Sequence, residues 1–187
     1  MDVGGLLIPA TNTLTALLYG FAHHDVPKAR EYYFWRLCDE LFNHEDLPEP
    51  LMVKHPWAEE MISAVIRNKY LSIGGAASSG KSHTMAAWGI LNWLAAPRDT
   101  LVLLTSTTLR EARKRIWGSV ISMLSVIDGA PIKIRDSIGN AAYINEQGNL
   151  IERAGLSLIA AEKSKTREAV GKFIGIKQKR VILICDE

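Results

Sequence analysis

Apolar residues recur at helical spacing from residue 13 to residue 42, first Leu14, Leu17, Leu18 and Phe21, then Tyr32, Tyr33, Phe34, Trp35, Leu37 and Leu41. The pattern predicts an N-terminal helical segment over residues 1–50. "DLPEPLMVKHP" interrupts it with three prolines, a break after which a main domain, residues 51–187, begins near Met52. Within that domain residues 57–69 read as a helix, 70–73 as a short strand, and Lys81–Ala95 as a helix stopped by Pro97. "TLVLLTS" is apolar on both faces, as a strand covered by helices on both sides of a parallel sheet must be. Residues 109–127 read as a helix, basic at its start and apolar later. "KIRDS", "AAYINEQGNLIER" and "LSLIAA" read as short strands with a hairpin turn at Gln147, Gly148 and Asn149. "VILIC" reads as another fully buried strand, ending in Asp186 and Glu187. Alternating strands and helices predict an α/β fold, a mostly parallel sheet flanked by helices, with a β-rich insertion.

Composition narrows the picture. In 187 residues, 48% hydrophobic and 22% charged, there is enough apolar material for a real core, which excludes a disordered chain. A net charge of +2 implies no nucleic-acid partner by itself, so any such partner must be argued from local clusters. Cys38 and Cys185 lie far apart, the second in an apolar run, and predict reduced buried thiols and an intracellular setting. Residues 3–22 are apolar, but Asp2 stands where a leader would be basic, and Pro9 and Asn12 interrupt the run. They predict a packing helix and no membrane role.

The chemistry starts at "GGAASSGKS". Gly75, Gly80, Lys81 and Ser82 satisfy G-x-x-x-x-G-K-[ST], where glycine lets backbone N–H groups wrap phosphates without an intervening Cβ. Lys81 is expected to meet the β- and γ-phosphates and Ser82 to reach Mg²⁺, with the following helix adding its dipole. Ala76, Ala77, Ser78, Ser79 and His83 complete the span expected to line an ATP site. An acidic residue at the tip of a buried parallel strand faces the crevice where ligands bind in such sheets. Asp186 is therefore expected to hold the Mg²⁺ shell, and Glu187 to polarise an attacking water as a general base.

Two basic clusters bear on partners. In "TSTTLREARKR", hydroxyls precede Arg110, Arg113, Lys114 and Arg115, which suits either contact with a nucleic-acid backbone or a capped helix with a solvated basic face. Residues 162–180 hold seven cations, Arg167 and Lys172 among them, against two acids. A DNA-facing surface, a source of an arginine finger and a solvated loop all remain open there.

"GGAASSGKS", "VLLTSTTLREARKRIWGSV", "YINEQGNLIERAGLSLIAAE" and "AVGKFIGIKQKRVILICDE", in that order, resemble the N-terminal ATPase domain of phage terminase large subunits, the motors that package DNA into procapsids. The resemblance covers residues 52–187; residues 1–50 carry no matching motif. It implies a RecA-like P-loop NTPase fold of the additional-strand, catalytic-glutamate type, and ATP hydrolysis coupled to double-stranded DNA translocation in the host cytoplasm. A homo-oligomeric ring on a portal and a small-subunit partner are also implied. Trp57 stands where such ATPases often place an adenine-contacting residue, although a core or hinge tryptophan fits the same position. No arginine lies inside the loop, so an arginine finger would come from elsewhere, Arg167 or a neighbouring subunit. The chain ends at Glu187, before the ATPase-coupling strand and nuclease domain of that family, and so reads as a fragment. A helicase-type or other DNA-remodelling ATPase shares the same signatures, and a non-catalytic nucleotide-binding fragment is the third reading.

Overall fold

A computed structural model describes residues 12–160 and 178–186 of the chain. The N-terminal pattern resolves into two helices, α1 (Asn12–His23) and α2 (Pro27–Phe42), with Pro27 opening the second at a position where its missing N–H costs nothing. Asn43 then clamps the connection that follows. Its side chain donates to Met52 O (2.8 Å) and accepts from Met52 N (2.9 Å), while Leu51 N donates to Phe42 O (3.0 Å). α3 (Pro56–Arg67) starts behind His55, whose Nδ1 accepts the N–H of Ala58 at 3.3 Å as an N-cap.

The centre of the molecule is α4 (Lys81–Ala95), buried without interruption from Thr84 to Leu94. A helix that is apolar on all sides must be covered on all sides. α1, α2, α3 and α6 (Gly118–Ser125) pack around it, and the sheet closes the remaining face. Between β1 (Thr100–Ser106) and α6 the chain forms a short α5 (Leu109–Ala112) and a π-helical turn, Arg113–Trp117. The expected continuous helix over 109–127 is thus one helical path with a wide turn inside it.

The sheet contains β2 (Ile132–Arg135), β3 (Asn140–Ile144), β4 (Leu150–Ala160) and β5 (Arg180–Cys185), in the order β2-β3-β4-β1-β5. β1 pairs in parallel with β4 and β5, whereas β2–β3 and β3–β4 are antiparallel. The fold is therefore mixed α/β on a mixed sheet, and the expected β-rich insertion forms its antiparallel half. The expected hairpin lies between β3 and β4, where Asn145 Oδ1 accepts from the backbone N–H groups of Gln147 and Asn149. Register slips between Ala141, opposite Leu156, and Tyr143, opposite Ile151. Gly155 sits in that bulge at φ +129°, and a Cβ there would stand 2.2 Å from Ala141 O.

Three expectations need correction. Residues 70–73 form no strand: among the described residues no strand pairs with them, and Tyr70 is 84% exposed. β5 is not fully buried. Ile184 packs into the core, but Val181 and Leu183 on the other face are 46% and 52% exposed, because no described element covers that face at the sheet edge. Cys185 shares this alternation and is an exposed free thiol, while Cys38 is fully buried, its pKa pushed well up by burial and by neighbouring Asp39. No helix among the described residues is long and apolar enough to cross a membrane.

A candidate nucleotide site at the strand tips

The parallel register aligns the C-terminal ends of β1, β4 and β5 on one edge, with Ser106 opposite Ala160 and Thr105 opposite Cys185. α4 begins above that edge. Its N-cap, Gly80, has φ +78°, a left-handed backbone that glycine adopts without strain, and Thr84 N closes the first helical bond on Gly80 O at 2.8 Å. Ser78 also has positive φ (62°), so the exposed loop turns twice against the usual hand before entering the helix. The first N–H groups of a helix have no intrahelical partner, so the loop and the start of α4 together present donors to an anion.

Residues 104 positions apart meet at this edge. Ser82 Oγ donates to Asp186 Oδ1 at 2.6 Å, a short charge-assisted bond between the start of α4 and the tip of β5. Asp186 is held in place by its own backbone, N to Thr105 O at 2.7 Å. Among the described residues its second oxygen, Oδ2, is buried without a partner, as are the hydroxyls of Thr105 and Ser106 on β1, which point to opposite faces of the sheet. A buried carboxylate oxygen without a donor is costly unless a cation or donor meets it. Hard oxygens of this kind suit Mg²⁺, which takes one or two protein ligands and fills its octahedron with water and phosphate oxygens. The residues present fit that ion, with Ser82 and Asp186 as its protein oxygens.

Lys81 is folded over the loop. Its Nζ donates to Gly75 O (2.9 Å) and Ala76 O (2.8 Å) and lies 3.4 Å from Ser79 Oγ. The ammonium therefore stands within the turn formed by Gly75 to Ser79, where a phosphate would meet it.

Other expected site residues are placed as follows. The His83 ring is held between Leu51 O (2.5 Å from Nε2) and Ser119 Oγ (3.1 Å from Nδ1), so it ties the 43–52 connection to α4, and only its backbone remains for an anion. Trp57 is 68% exposed in the first turn of α3, which excludes the core reading. His55, two residues before it, was not singled out by its sequence context, yet its Nε2 lies 3.8 Å from where a Cβ on Gly80 would be, bringing the start of α3 against the loop. Arg113 is engaged by the insertion: its Nη2 donates to Ser137 O at 2.5 Å, and Trp117 Nε1 donates to Asp136 Oδ1 at 2.8 Å. Arg110 is exposed on α5. Glu187, Arg167 and Lys172 lie outside the described residues, as does most of the basic stretch 162–180.

Comparison with protein families, with curated proteins and with solved structures finds no match to this chain.

Proposed function

We propose that this chain is the ATP-hydrolysing part of a DNA-packaging motor of the terminase large-subunit kind. The observation that carries the nucleotide site is the Ser82–Asp186 hydrogen bond, which joins the two motifs that an ATP·Mg²⁺ site requires. The packaging assignment is supported by the order of the four segments quoted above.

In this reading the loop from Gly75 to Gly80 wraps the phosphates with backbone N–H groups, and Lys81 exchanges its two carbonyl partners for phosphate oxygens. When bound, Mg²⁺ supplies positive charge that neutralises the phosphate oxygens. Ser82 and Asp186 position it from the helix and the strand. Glu187, the next residue, is the proposed base that orients the attacking water. Ser106, on the face of β1 that α4 covers, offers a hydroxyl at the same edge. The exposed cations of 110–115 and those of 162–180 are the proposed approach for duplex DNA.

The test is calorimetric titration of ATP·Mg²⁺ into the wild-type chain, Lys81→Ala and Asp186→Asn, with hydrolysis measured with and without duplex DNA. We expect affinity to fall at least tenfold in Lys81→Ala and the Mg²⁺ requirement to weaken in Asp186→Asn. Unchanged binding in Lys81→Ala would remove the phosphate-cradle assignment. Binding without turnover in any condition would favour the non-catalytic reading.

A further inference from the structure

Two arginines reach the same flank of α4, away from the strand tips, one at Trp88 and one at Asn92. Arg30, in the first turn of α2, lays its guanidinium over the rings of Phe21 (5.6 Å) and Trp88 (5.8 Å) and donates from Nε to Phe21 O at 3.2 Å. Arg180 opens β5 and donates from Nη2 to Asn92 Oδ1. Asn92 is fully buried in the last turn of α4, and its Nδ2 donates to Trp88 O at 2.7 Å, which turns Oδ1 towards Arg180. Trp88 and Asn92 are one helical turn apart, so both guanidiniums come to one face of the same helix.

Among the described residues neither arginine has a carboxylate partner; the adjacent acid, Asp99, is taken by Lys179 at 3.0 Å. Burial lowers the pKa of both groups, and the Arg30 charge adds to the effect on Arg180. Packing of the aliphatic stem and a cation–π contact explain Arg30 alone. They do not explain why a second half-buried cation approaches it, since like charges in a partly desolvated place repel. Each guanidinium has five N–H donors in a planar fork and spends one on the described residues.

We propose that Arg30 and Arg180, floored by Trp88 and Asn92, form a second anion site that binds a phosphate group. β5 separates Arg180 from Asp186 by six steps, about 20 Å at strand rise, so this site lies at the opposite end of the sheet from the candidate nucleotide site. It stands independently of the proposed function. The phosphate belongs either to free inorganic phosphate or to the phosphodiester backbone of a duplex.

The experiment uses the full chain in a Lys81→Ala background, which takes away the loop's ammonium. One arm titrates inorganic phosphate by calorimetry; the other titrates a labelled 20-base-pair duplex by anisotropy at several salt concentrations. Adding Arg180→Gln should weaken phosphate binding at least tenfold if the source is free phosphate. For a phosphodiester source, duplex affinity should fall and the salt slope drop by about one. Should Arg180→Gln fail to fold, Arg180→Lys keeps the charge, loses the fork, and should still weaken binding several-fold. If Arg180→Gln, or Arg180→Lys in its place, leaves both arms unchanged with circular dichroism intact, the site does not exist.

Discussion

At the scale of single residues, the glycine-rich motif was legible because it is local. Gly75, Gly80, Lys81 and Ser82 occupy a fixed spacing, whereas the meeting of Ser82 with Asp186, 104 positions on, is made by the packing of α4 against β5. Asn92, Arg30 and Arg180 carried no such signal. They are separate points in the chain, brought together only by the packing of α2 and β5 on α4. Gly155 was equally silent, one glycine in a long strand, until the bulge opposite Ala141 gave it a role. Gly155→Ala is expected to destabilise the chain by on the order of 3 kcal/mol or more, because it combines a positive φ with a backbone clash. Urea denaturation measures this; a loss under 1 kcal/mol would mean that β4 can straighten at no cost.

At the scale of elements, helices were read more faithfully than strands. α4 was predicted at Lys81–Ala95 and found there, since a glycine loop starts it and Pro97 follows its end. Residues 70–73 have the composition of a strand, but a strand exists only when a neighbour accepts its hydrogen bonds, and composition does not show the neighbour. "VILIC" hid its alternation because every position is apolar, so the exposed face of β5 was invisible. The 43–52 connection read as a plain proline-rich break, yet the Asn43 clamp makes it an ordered element. Asn43→Ala should cost about 2–3 kcal/mol, since it leaves both backbone groups of buried Met52 without partners. Asn43→Asp, which keeps the acceptor and loses the donor, should fall between. Equal melting temperatures for wild type and Asn43→Ala would show that water replaces the clamp.

For the molecule as a whole, one buried cluster runs from Leu14 in α1 through Phe34, Trp88 and Val102 to Ile184 in β5. Phe21 meets the Trp88 ring edge-on at 5.5 Å, so the N-terminal helices share their core with the central helix. A shared core predicts a single cooperative unfolding transition, with calorimetric and van't Hoff enthalpies equal. Two resolved transitions would show that α1 and α2 fold apart from the sheet.

Lys81 is engaged before any ligand arrives. Its ammonium has the carbonyls of Gly75 and Ala76 as partners, so under the proposed function a phosphate would have to compete for a lysine already in use. Binding is then an exchange reaction, and its observed rate should level off at high ligand concentration, set by the rate at which the lysine lets go of its own loop.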